Sequence, residues 1–149
     1  MRAVVQRVLD CSVKVEEKIV GRIDRGLLVY LGVERGDEEA DLFYMTDKVV
    51  GLRIFADGGG KMNLSVQDVQ GEVMVVSQFT LCADTRKGRR PSYNYAASPE
   101  EGEKYYRMFI DSVAKKGVKV ESGSFGAHME VKYTNQGPVT ILLDSKKNF

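Results

Sequence analysis

One histidine, two cysteines, three prolines and no tryptophan occur in this chain of 149 residues, and each scarcity removes a class of chemistry. With His128 as its sole imidazole, the chain has no Ser/His/Asp or Cys/His mechanism open to it that does not use that residue. His128 lies in Phe125-Gly126-Ala127-His128-Met129, which reads as a turn entering a strand, a setting for a surface or packing histidine. Cys11 and Cys82 allow at most one bridge, and neither sits in a metal or redox spacing, so a reduced cytosolic setting is the simplest fit. No cluster of His, Cys and carboxylates has ligand spacing, and neither a metal nor a cofactor is expected. No stretch approaches the ~20 apolar residues of a membrane helix. The start, Met1-Arg2-Ala3-Val4-Val5-Gln6-Arg7, meets charge too early for a signal peptide. The chain therefore reads as cytoplasmic and unprocessed. The few prolines, with 43% apolar and 29% charged residues, exclude disordered and collagen-like classes. The length suits a single domain over residues 1–149.

Net charge is also nearly missing, at +1, which argues against a wholly basic nucleic-acid binder. The balance hides an asymmetry. Residues 1–75 carry 10 basic and 13 acidic side chains, and residues 76–149 carry 12 and 8. Much of the later excess is one run, Arg86-Lys87-Gly88-Arg89-Arg90.

What the chain does have is β-branched residues in short periods. Val4, Val5 and Val8, then Val13 and Val15, then Ile19, Val20 and Ile23 predict strands. Gly26 to Val33 is apolar on both faces, as for a central strand covered on both sides. Asp37 is the expected N-cap of a helix running to about Leu52, with Phe43 and Val50, joined by Leu42, Met45 and Val49, on its buried face. Arg53-Ile54-Phe55 is a short strand. Asp57-Gly58-Gly59-Gly60 reads as a turn, since no helix-opening Gly-Lys-Ser/Thr follows to make a phosphate loop. Glu72 to Phe79 is the strongest strand. Thr80 to Ala97 shows no period and is basic, with Tyr93 and Tyr95 near it, which marks a long functional or mobile loop. Ser98-Pro99-Glu100-Glu101 opens a second helix that ends at Lys115-Lys116-Gly117, and its Tyr105, Tyr106 and Phe109 read as packing. Val118 to Glu121, Met129 to Tyr133 and Val139 to Leu143 complete the sheet. The expected class is α+β: a curved, mostly antiparallel sheet or small β-barrel with two main helices packed on it.

Polar residues at two strand ends remain as candidates: Ser77-Gln78-Phe79-Thr80 and Asn135-Gln136-Gly137-Pro138-Val139-Thr140. Taken singly, the first suits a satisfied hydrogen-bond network and the second a plain turn, as well as either suits a site. Together with the Arg86 to Arg90 run they resemble the D-aminoacyl-tRNA deacylase family, whose two signatures are a Ser-Gln-Phe-Thr strand end and an Asn-X-Gly-Pro-Val-Thr segment. The resemblance spans the chain. It includes Arg2 to Val8, Gly26 to Val29, Leu31 to Val33, Leu52 to Phe55, Lys61 to Ser65 and Ala83 to Ser92, in family order. Gln136 and His128 stand where the family commonly has Asp, which leaves local hydrogen bonding and pH response open at those two positions.

The resemblance implies hydrolysis of the ester between a D-amino acid and the terminal ribose of tRNA, in a homodimer. Gly137-Pro138, with a cis bond, would enter the partner's active site and reject L side chains. Achiral glycine would pass such a filter, making glycyl-tRNA a second substrate. The resemblance also implies backbone N–H groups at Phe79 and Thr80 as the oxyanion donors, and a 2′-hydroxyl of the substrate assisting water. Ser77 and Gln78 are expected to hold adenosine and ester, Met129 to wall the pocket, and Arg7 to brace the Gly137-Pro138 segment. Arg86, Lys87, Arg89 and Arg90 are expected on tRNA phosphates. Physical chemistry agrees on one point: without an adjacent base the Thr80 hydroxyl is a poor nucleophile. Two alternatives are a Thr80-nucleophile hydrolase that forms an acyl-enzyme, and a non-catalytic RNA-binding module.

Overall fold

The computed structural model describes all 149 residues. The early valines and isoleucines do not make separate short strands. They lie on two long ones, β1 (Arg2–Val15) and β2 (Lys18–Gly32), paired antiparallel. After helix α1 (Glu39–Gly51) come a small hairpin of β3 (Phe55–Ala56) and β4 (Met62–Leu64), then β5 (Glu72–Ser77), helix α2 (Pro99–Lys115), β6 (Lys119–Ser122) and β7 (Glu130–Asp144). The main sheet runs β6-β5-β2-β1-β7. Its β1 pairs are antiparallel, while β2 with β5 and β5 with β6 are parallel. The architecture is the expected α+β sheet with two helices, with parallel pairing confined to one side.

Strand alternation feeds two cores, because successive side chains face opposite sides of a sheet. Leu27, Val29 and Leu31 of β2 and Val73 and Val75 of β5 point to the helices, where they meet Leu42, Met45, Val49, Tyr106 and Phe109. Leu28, Met74 and Val76 point the other way, into a smaller cluster with Val8, Cys11, Val13 and Ile23. This is the two-sided burial expected of Gly26 to Val33. Gly26 has a specific reason to lack a side chain: a Cβ there would lie 1.7 Å from the Glu72 carbonyl oxygen, inside the β2–β5 pairing.

The helices follow their patterns with two corrections. Leu42, Met45, Thr46, Val49 and Val50 form the buried stripe of α1, and Phe43, one residue and about 100° round from Leu42, is exposed. The N-cap is Glu38 instead of Asp37. Asp37 is buried one position earlier, accepting the Met1 α-ammonium at 2.7 Å and the Glu34 N–H at 2.7 Å. For α2, Ser98 Oγ accepts the Glu101 N–H at 3.2 Å with proline at the first turn, as expected.

Candidate active site

Strand β5 stops at Ser77, short of the Phe79 end expected from the sequence. Gln78 donates its N–H to Leu31 O at 2.8 Å, and the chain then tightens into a 3-10 turn, Phe79–Cys82. The first N–H groups of such a turn have no partner within it, and none of the loop hydrogen bonds uses those of Phe79 or Thr80. Two adjacent backbone donors are thus left free at the end of β5. The Gln78 carboxamide donates to the Thr80 hydroxyl oxygen, so that oxygen is engaged by an amide and not by a base. Cys82, at the far end of the turn, is no nucleophile either. Burial, aided by the Glu34 charge, pushes its thiol up to about 11, and a thiol held protonated is inert.

Beside this turn opens a cavity of about 620 Å³, in the size range of small-molecule sites. Val76, Ser77, Gln78 and Phe79 line it from β5 and the turn, Leu31 from β2 with Val33 just beyond it, and Val131 from β7 with Met129 just before it. Of the expected site residues, Ser77, Gln78, Phe79 and Met129 are therefore gathered on one wall. Sequence reasoning missed the opposite wall: Ser98, Pro99 and Gly102 of α2, Ala96 and Ala97 before it, and Phe125 to Ala127. No periodicity signals that the first turn of α2 returns to the end of β5. His128 is exposed on the same rim, so it is a surface residue that also borders the site.

Gly137 and Pro138 are absent from that lining, and the register explains their distance. The β1–β7 pairing jumps from Gln6↔Thr140 to Val8↔Asn135, so that Gln136 to Val139 bulge outward beside Arg7. Arg7 is level with Leu27 and Val73, whereas Ser77 is level with Leu31. The bulge and Ser77 are thus four residues apart along the strands and three strands apart across them, on the order of 20 Å along the sheet. The Gly137-Pro138 bond is cis, and both residues are exposed. Arg7 lies beneath: its Nη1 donates to Ile54 O at 2.6 Å, and its Nη2 sits 3.0 Å from where a Gly137 Cβ would be.

The basic run forms the tip of a hairpin closed by Asp84 and Ser92, whose backbones exchange hydrogen bonds of 2.7 and 3.0 Å. Arg86 differs from its neighbours. It is bound to the Asp84 carboxylate at 2.8 and 2.7 Å and to the Tyr95 hydroxyl at 3.1 Å. Hydrogen bonds from its side chain and backbone hold Asp84 down to about 2. Lys87, Arg89 and Arg90 are exposed and take part in no ion pair of the chain. No group of three or more His, Cys, Asp or Glu side chains is placed to hold a metal ion, and no helix is long and apolar enough to cross a membrane.

Residues 4–144 match the family model described as D-Tyr-tRNA(Tyr) deacylase. A D-aminoacyl-tRNA deacylase of Thermotoga petrophila is 59% identical over 149 residues, with both chains covered in full. One from Clostridioides difficile is 55% identical over the same length, again with full coverage of both. Among solved structures, a c-Myc DNA unwinding element binding protein superposes with a TM-score of 0.91 at 40% identity, covering 97% of this chain and 98% of that one. A probable eukaryotic D-amino acid tRNA deacylase shares the fold with a TM-score of 0.80 at 20% identity, over 95% and 97% of the two chains. Two free N–H groups beside a Ser-Gln strand end, an outward Gly-Pro bulge and full-length identity of this order have one common reading: the chain belongs to the D-Tyr-tRNA(Tyr) deacylase family.

Proposed function

We propose that this protein hydrolyses the ester bond of D-aminoacyl-tRNAs, releasing free tRNA and the D-amino acid, and that it rejects L-aminoacyl substrates. The observation that carries the reading is the free N–H pair of Phe79 and Thr80, in the turn beside a cavity whose one imidazole, His128, is exposed on the rim. Ester hydrolysis needs donors aimed at a developing oxyanion, and such donors act without any side chain. Water attacks the ester carbonyl, the tetrahedral oxyanion takes its hydrogen bonds from the Phe79 and Thr80 N–H groups, and the ribose oxygen departs with a proton. The substrate's 2′-hydroxyl assists the water, so the protein acts chiefly by positioning. Ser77 and Gln78 hold adenosine and ester, and Met129 walls the pocket. The engagement of Thr80 Oγ1 by Gln78 weighs against an acyl-enzyme on Thr80.

Gly137-Pro138 acts as the chirality filter from the partner chain of a homodimer. The separation of about 20 Å along the sheet and the outward exposure of the motif support this, because one chain does not bring its own filter to its own cavity. A two-fold dimer makes the exchange reciprocal. Exclusion of L side chains leaves glycine acceptable, so glycyl-tRNA is a second substrate. The reaction belongs to a single domain acting in the cytoplasm, with no cofactor.

Incubation of the protein with D-tyrosyl-tRNA and L-tyrosyl-tRNA tests the reading. Rapid loss of the D ester with the L ester spared is expected. Unchanged decay of both would instead make the chain a nucleic-acid-binding module, as the name of its DNA-unwinding-element relative describes that protein.

A further inference from the structure

The cavity is sized for one aminoacylated nucleoside, so the nucleotide preceding it must leave across the mouth, and the mouth is aromatic. Phe79 and Tyr93 meet there edge to face, with ring centroids 5.1 Å apart and an interplanar angle of 70°. Both border the cavity, yet they remain 56% and 39% exposed. An aromatic pair buried for packing alone would not stay this open, whereas one that receives a flat ring would. Tyr93 also follows Ser92 directly, and the Asp84–Ser92 backbone bonds set it at the foot of the hairpin whose tip carries Lys87, Arg89 and Arg90. One short segment thus presents a stacking surface and, next to it, three cations without intrachain partners. Arg86 is spent on Asp84 and Tyr95, so its part is to stiffen the hairpin.

We propose that Tyr93, backed by the Phe79 ring, is a stacking site for the unpaired nucleobase preceding the terminal adenosine, with Lys87, Arg89 and Arg90 gripping the phosphates beyond it. The inference rests on the deacylase reading and deepens it, by saying how the enzyme holds the single-stranded end of its RNA. Single-strand binders combine this pair of features, aromatic faces for bases and a basic track for the backbone. Such stacking is indifferent to base identity, which suits an enzyme serving many tRNAs.

The experiment compares D-tyrosyl-tRNA with D-tyrosyl-adenosine, which has the reacting end and nothing upstream. For Tyr93→Ala, KM for the tRNA should rise about ten-fold or more, a far larger rise than any on D-tyrosyl-adenosine. Tyr93→Phe should restore the native KM. Equal losses on both substrates would make Tyr93 part of the cavity wall and overturn the proposal, as would no loss on either. A change in oligomeric mass on Tyr93→Ala would assign the ring to an interface between chains and overturn it too. Binding of uncharged tRNA supplies a readout free of catalysis. The native protein should favour intact tRNA over tRNA trimmed of its last three nucleotides, and Tyr93→Ala should abolish that preference. A native protein that binds with this preference but cleaves neither ester would refute the deacylase reading while leaving the stacking site standing.

Discussion

The Asn135 side chain grips the backbone of Arg7: its carboxamide nitrogen donates to the Arg7 carbonyl oxygen at 3.0 Å, and the same nitrogen donates to Val139 O at 3.0 Å. Two hydrogen bonds from one amide thus cross the neck of the Gln136 to Val139 bulge and tie it to β1. Asn135→Ala should cost about 2 kcal/mol, at about 1 kcal/mol per bond, and lower the melting midpoint by roughly 4 to 8 °C. If the bulge is the filter, cleavage of D-tyrosyl-tRNA should fall about ten-fold or more as well. Calorimetry and steady-state kinetics check the two effects separately. Lowered stability with native kinetics would confine Asn135 to the fold.

Gly137 adopts φ of +120°, and a Cβ would lie 2.9 Å from Val139 Cγ2 and 3.0 Å from Arg7 Nη2. Gly137→Ala should therefore displace the bulge and reduce D-ester cleavage. Mixing it with Gln78→Ala provides the sharper measurement. In a mixed dimer with shared sites, one site receives both altered residues and the other receives neither, so activity should rise well above either variant alone. No recovery after verified subunit exchange would remove the cross-chain arrangement.

Charge removal at Arg89 and Arg90 addresses the hold on RNA. Each phosphate that goes unneutralised should reduce the slope of log affinity against log salt by ~0.7 to 0.9. The Arg89→Ala/Arg90→Ala variant should bind tRNA more weakly at low salt and show a much shallower dependence. Arg86→Ala should affect the slope less, because Arg86 is already paired with Asp84. An unchanged slope in the double variant would exclude the hairpin tip from the interface.

Acid stability is expected to depend on Asp41. Burial acts to raise its carboxyl, but hydrogen bonds from Lys146, the Glu38 backbone N–H and Ser145 outweigh it and pull the group down to about 2. Its folded value lies below the ordinary ~3.9 of an unfolded aspartate. The carboxylate therefore stabilises the fold fully above about pH 4, and that contribution is lost as pH falls toward 2. Urea melts across this window should show Asp41→Asn destabilised at neutral pH and less sensitive to acid than the native chain. Parallel pH profiles for the two proteins would contradict the assignment.

Local pattern carried the secondary structure far. The Ser98-Pro99 start and the apolar stretch from Gly26 to Val33 are properties of a few neighbouring residues, and they appear where the chain says they should, whereas the early β-branched runs merge into two long strands. The misjudged features are those where distant segments compete. Phe43 is apolar but sits off the stripe, which is decided by the sheet and α2 pressing on the other side. Asp37 yields the cap to Glu38 because the Met1 ammonium claims its carboxylate. The strand at Glu72 stops at Ser77 because the last backbone bond available to it is to Leu31, on another strand.

By itself the sequence narrowed the chemistry: with one histidine, any imidazole base has to be His128. It also carried both signatures, as short runs of contiguous residues. Only the tertiary structure decided where those runs lie relative to each other. Pairing register puts Ser77 and Gly137 four residues and three strands apart, and the return of α2 to the end of β5 makes a cavity out of segments with no common pattern. Burial and hydrogen-bond partners depend on which strands become neighbours, and that is settled by the packing of the whole sheet.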